Sequence, residues 1–123
     1  MVLVLMVAAA FNLACTGQGR IGEIGKPVPV ARSISKTYRL DLDAKRWCEG
    51  ACKETRKIAE ITDTEIRLVF VENSQSPTGF DAETVINRES GNWLDSDKSG
   101  DFYEVNVGTC KPAPFSGFPQ RQF

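Results

Sequence analysis

The sequence predicts an all-β fold: a small antiparallel sheet, sandwich or partly open barrel of about five to six strands, stapled by a disulfide. Three observations carry that expectation. Short segments alternate apolar and polar residues with period two, as in Tyr38-Arg39-Leu40-Asp41-Leu42 and Phe102–Val107. Turn-forming clusters punctuate them, Thr62-Asp63-Thr64 and Glu89-Ser90-Gly91-Asn92 among others. Cys48, Cys52 and Cys110 fall inside the same region, behind a segment that reads as an export leader.

Residues 1–15 form the leader in this reading. Val2 to Leu13 is apolar except for Asn12, too short a run for a permanent membrane helix but matched to the apolar region of an export signal. Ala8-Ala9-Ala10 offers small residues for ordinary cleavage. Leu13-Ala14-Cys15-Thr16-Gly17 offers a lipobox-like alternative, which makes Cys15 the candidate for lipidation. Residues 16–34, with their glycines and Pro27 and Pro29, read as a flexible tether. The folded domain is then 35–123.

Within that domain Tyr38, Leu40 and Leu42 share one strand face. Lys53 to Ile58 offers at most one helical turn, and Ile58–Ile61 a short strand. Glu65–Glu72 is the clearest strand; Ile66, Leu68 and Phe70 lie on one face and Val69 and Val71 on the other, so a central position covered on both sides is expected. Asn73–Gly79, with Pro77, breaks it. Thr84–Arg88 and Trp93-Leu94 flank a hairpin turn, and Asp95–Asp101 reads as a polar loop before the strand Phe102–Val107. The tail Pro112–Pro119 excludes helix and central strand, and its Phe115 and Phe118, with Phe123, are expected across the open end of the sheet.

If Cys15 is lipidated or removed, two disulfide arrangements stay open. Cys48 and Cys52 can close the short loop Glu49-Gly50-Ala51, or Cys110 can pair with one of them across roughly sixty residues, the more stabilising closure on chain-entropy grounds. A redox role for Cys48 and Cys52 has the wrong spacing, and a metal role lacks ligands.

Chemistry is poorly provided for. The chain has no histidine, which removes the usual general base near neutral pH and the Ser-His-Asp and Cys-His routes. A net charge of −1 argues against nucleic acid as a partner. Asp95, Asp97, Ser99 and Asp101 follow the alternate-oxygen spacing of a calcium loop, with Gly100 at the turn position. Asn106 stands where the bidentate glutamate belongs, so a solvated loop is the favoured reading. Asp41 with Asp43, and Glu65 beside Arg67, are the carboxylates left for acid–base work on a sugar; a solvated strand face is the favoured reading of them. Trp47, Trp93 and Tyr103 at strand spacing read as core before cleft. No cofactor is implied.

At Arg46-Trp47-Cys48…Cys52, Ile86-Asn87-Arg88-Glu89-Ser90-Gly91 and Gly108-Thr109-Cys110…Pro114-Phe115-Ser116-Gly117-Phe118-Pro119, the chain resembles small exported proteins and lipoproteins of proteobacteria. The resemblance covers roughly residues 35–123 and implies a shared β domain and an envelope location, without catalytic residues. The combined expectation is a non-catalytic binding or structural module, periplasmic or tethered to the membrane only through Cys15. Its partner would be an envelope protein or a cell-wall component. An inhibitor of an envelope enzyme and a carboxylate-based hydrolase of cell-wall sugars are the alternatives.

Overall fold

The computed structural model describes residues 9–73 and 79–119. Residues 1–8 of the expected leader, the segment around Pro77 and the terminal Phe123 lie outside the described residues. Nine strands follow one another: β1 (Ala10–Glu23), β2 (Arg32–Asp41), β3 (Arg46–Glu49), β4 (Arg56–Lys57), β5 (Glu60–Ile61), β6 (Glu65–Asn73), β7 (Phe80–Asn87), β8 (Asn92–Ser99) and β9 (Phe102–Ala113). They form one antiparallel sheet in the order β4-β3-β2-β1-β9-β8-β7-β6-β5. The fold is all-β and disulfide-bonded, but the expected five to six strands in a sandwich or partly open barrel are replaced by a single nine-stranded sheet curled into a half-barrel. β1, β3 and β4 account for most of the difference: β3 and β4 are too short to show an alternation, and β1 begins inside the apolar run read as a leader.

Tight turns set the meander. Asn87 Oδ1 accepts the backbone N–H of Glu89 and of Ser90, each at 2.9 Å, and Gly91 at φ 79° completes the β7–β8 turn. Gly100, at φ 59°, turns β8 into β9. The expected loop Asp95–Asp101 is therefore mostly strand, since β8 runs to Ser99 and pairs with both neighbours. Its polar residues stay in register because one face of the sheet there lines a polar interior.

The ends of the curl are joined. β4 and β5 occupy opposite edges of the sheet, although only Ile58 and Ala59 separate them in the chain. Ile58 N–H donates to the Lys45 carbonyl at 2.9 Å on one side, and Ala59 N–H donates to the Leu68 carbonyl at 3.3 Å on the other. The segment Arg56–Ile61 is thus a strap that holds the two edges together at one end and leaves the other end open.

The core lies inside the strapped end. Leu13, Tyr38, Leu40, Trp47, Ile58, Ile66, Leu68, Ile86 and Trp93 are all buried there, each large apolar side chain worth about 1.5–3 kcal/mol of burial. Tyr38 stands edge-on to Trp47 and to Trp93, with ring centroids at 5.9 and 6.3 Å.

The curl is sharpest between β1 and β9. Gly17 and Gly108 face each other in register, and a Cβ on either would fall inside the backbone of the opposite strand. Only two glycines allow that approach. Trp93 stands directly opposite Gly108 on the neighbouring β8.

Several expectations change here. Residues 16–34, expected as a tether, hold most of β1, its turn and the start of β2, with β1 paired on both sides. Cys15, the lipidation candidate, is fully buried and bonded to Cys110, its direct neighbour in register, with a Cα separation of 3.9 Å. In this arrangement no thiol remains for a lipid thioether, and Cys110 pairs with neither of the cysteines expected for it. Cys48 and Cys52 form the second disulfide, so the described residues contain no free cysteine. β6 is next to an edge and not central: Phe70 is 50% and Val71 41% exposed. The tail packs on the convex side near β1 and β2, away from the open end. Ser116 bonds to Asn12, and the Gly117 carbonyl accepts from Arg39 at 3.0 Å.

Candidate binding site

Two regions gather side chains in ways that bear on function. The first is a polar wall inside the half-barrel. Period two puts Lys36 of β2, Asn106 of β9, Asp95 of β8 and Thr84 of β7 on the concave face. Lys36 Nζ donates to Asp95 Oδ2 at 2.7 Å, Asn106 Nδ2 to the same oxygen at 3.1 Å, and Thr84 Oγ1 to Asp95 Oδ1 at 2.8 Å. β2 and β8 are three strand spacings apart, about 14 Å in a flat sheet, so this ion pair spans the crease at Gly17 and Gly108. Trp93 Nε1 makes a parallel crossing, donating to Tyr38 Oη at 3.2 Å.

Electrostatics fix the protonation of this wall. Burial pulls the Lys36 ammonium down, but the Asp95 hydrogen bond and charge, with Glu49 and Glu104 further off, more than offset it and leave its pKa raised. Burial, reinforced by the Asp95 charge, pushes the Tyr38 phenol well above its ordinary range, so it stays neutral. Asp95 has its oxygens committed to three donors. The cluster holds the curl together and presents no group free for proton transfer.

The second region is a groove of about 710 Å³ at the strapped end. Its floor is Phe11 and Leu13 of β1, Ile66 of β6, Ile86 of β7 and Pro112 of β9, and its rim carries Asp63, Arg88 and Glu89. The rim is held from below: Arg88 Nη1 donates to the Thr62 carbonyl at 2.7 Å, and Asn87 orders the turn beside it. Volume, apolar floor and a few fixed polar groups are what a small-ligand site requires.

The candidates from the sequence are scattered. Asp95 belongs to the polar wall, Asp97 and Ser99 lie further along β8, and Asp101 is in the turn after it. No group of three potential metal ligands occurs among the described residues, so the calcium spacing does not become a calcium geometry here. Asp41 accepts the Ala44 N–H at 3.0 Å and serves a turn, while Glu65 lies 3.6 Å from Arg67. Trp47 and Trp93 are core, as read. Tyr103 lies on the convex side against Gly22. Phe11 and Leu13 fall within the segment that reads as a leader, although Phe11, Leu13 and Cys15 alternate with Asn12, Ala14 and Thr16 and so carry a period-two signal. Comparison with known proteins supplies no further guide: no family model, no curated protein and no solved structure matches this chain.

Proposed function

We propose that the chain is an exported, non-catalytic binding module that takes an apolar group in the groove between β1, β7 and β9. The groove itself carries the proposal: it is apolar-floored and bordered by a rim on which the Arg88 side chain is already held by the Thr62 carbonyl. Two disulfides that use every cysteine support an oxidising, extracytoplasmic setting. The non-catalytic reading is supported by the absence of histidine and by the full commitment of Asp95 to Lys36, Thr84 and Asn106.

The test uses N-phenyl-1-naphthylamine, a neutral apolar fluorophore, titrated into the purified chain. One saturable site with a blue-shifted emission is expected. Pro112→Trp, at an exposed position on the groove floor, should abolish it while leaving the melting temperature within a few degrees. Absence of saturable binding, or undiminished binding by a folded Pro112→Trp protein, would overturn the proposal.

A further inference from the structure

The rim of the groove carries charge of both signs on two turns that Arg88 ties together. Arg88 is bound twice to the turn Thr62–Glu65: its backbone N–H donates to the Thr64 carbonyl at 2.8 Å, and its Nη1 to the Thr62 carbonyl at 2.7 Å. Asp63 lies between those two acceptors in the chain, in a turn closed by the Glu65 N–H donating to Thr62 Oγ1 at 2.9 Å. Glu89 follows Arg88 directly, and its own N–H is taken by Asn87 Oδ1. Asp63, Arg88 and Glu89 all line the groove, and among the described residues none of the three forms a salt bridge. The Thr62 carbonyl occupies one guanidinium nitrogen and leaves the remaining N–H groups of the fork for an oxyanion. The two carboxylates are open to a cation.

We propose that the groove takes a single-chain zwitterionic amphiphile, its alkyl chain on the apolar floor and its phosphate and ammonium groups on the rim. This inference rests on the groove being a binding site, as proposed above, and names the class of ligand. Charge selects the head group. An anion alone on Arg88 has Asp63 and Glu89 for neighbours, and their repulsion offsets much of what the guanidinium supplies. A cation alone on either carboxylate is opposed by Arg88, which is the chain neighbour of Glu89 and is bonded to both chain neighbours of Asp63. An uncharged head group leaves all three charges without partners. A phosphate joined by a short linker to an ammonium answers both signs: its oxygens accept from the Arg88 fork, and the ammonium lies against Asp63 or Glu89. These rim residues are exposed, so solvent screens each pairing. The head group therefore supplies discrimination, and burial of the chain on Phe11, Leu13, Ile66, Ile86 and Pro112 supplies affinity. At about 710 Å³ the groove is of the size that encloses one small ligand.

The test is displacement of N-phenyl-1-naphthylamine from the full chain by decanol, decanoate, decyltrimethylammonium and decylphosphocholine, each below its micellar concentration. The four share one alkyl chain and differ in head-group charge. Decylphosphocholine is expected to bind about tenfold more tightly than any of the others. Arg88→Gln should make decyltrimethylammonium the strongest competitor, and the Asp63→Asn, Glu89→Gln protein should make decanoate the strongest. Ranks are compared within each protein against its own dye affinity, after circular dichroism has shown the unmodified spectrum. Saturable dye binding with four equal competitors overturns this proposal while the groove stands as a site for apolar groups. So does first place for any compound other than decylphosphocholine in the unmodified chain, or a rank order that both sets of substitutions leave unchanged. A chain that does not bind the dye overturns the groove reading and this inference with it.

Discussion

Replacing both Cys15 and Cys110 by alanine is the sharpest perturbation of this fold. Alanine keeps the two buried positions apolar, so the loss is mainly that of the covalent link. The cysteines are 95 residues apart, and loop-closure entropy for that length comes to about 4.7 kcal/mol at room temperature. The same relation gives only about 1.9 kcal/mol for the Cys48–Cys52 loop. A stability of 5–15 kcal/mol is typical for a domain, so losing the long link removes about a third or more of it. The assay is urea unfolding followed by tryptophan fluorescence, since Trp47 and Trp93 are both buried in the core. With a slope of about 1.5 kcal/mol per molar urea, the midpoint of the Cys15→Ala, Cys110→Ala protein should fall by about 3 M, and that of Cys48→Ala, Cys52→Ala by about 1 M. Equal shifts, or a larger shift for the short loop, would refute the reasoning. So would peptide mapping of the unmodified chain that finds Cys15 outside a disulfide.

Gly17→Ala should be at least as damaging, because its Cβ meets the Val107 carbonyl oxygen and the Gly108 backbone and neither can move aside; a loss of about 3 kcal/mol or failure to fold is expected in the same urea assay, whereas Gly50→Ala, which has open space but a positive φ, should lose only about 1 kcal/mol. Alkaline pH should destabilise the protein. Tyr38 and Lys36 both have folded-state pKa values raised above their unfolded ones, so their contributions are complete below about pH 10 and are lost as the pH rises beyond it. Tyr38→Phe should therefore be less stable at pH 7 by about 1–2 kcal/mol, because the Trp93 indole loses its acceptor, yet decline more gently above pH 10; identical slopes in the two proteins would contradict this.

The legible part of the fold is the part with clean alternation. Tyr38–Leu42, Glu65–Glu72, Thr84–Arg88 and Phe102–Val107 are all strand or overlap strand, and the Glu89–Asn92 turn lies where its chemistry puts it. What the sequence hid has specific causes. β1 lies under an apolar run whose composition matches an export leader, and composition outweighed the alternation of Phe11, Leu13 and Cys15. Asp95–Ser99 reads as a loop because acidic and hydroxyl residues favour solvent, yet Asp95 is drawn inside by Lys36 on a strand 59 residues away in the chain. β6 reads as central because both its faces are apolar, but its second partner covers only Ile66 and Arg67, and that depends on where the strap ends. The groove was the least visible feature. Its floor is drawn from β1, β6, β7 and β9, and no local pattern brings Phe11 beside Ile86 and Pro112.

The strand order has a consequence for how the chain is assembled. The strands at the middle of the sheet, β1 and β9, are the first and last to be synthesised, and the strands at its margins come from the middle of the chain. β1 finds β2 as soon as the turn after Glu23 is made, but its other side waits for the final strand. Until then a row of peptide groups from Asn12 to Glu23 has no partner, exposed to any extended segment nearby. Closure of that long loop is entropically slow. A ribosome-stalled or C-terminally trimmed chain ending before Phe102 would present an unpaired interior in place of a shortened rim, and would be a substrate for chaperones and proteases as a whole domain.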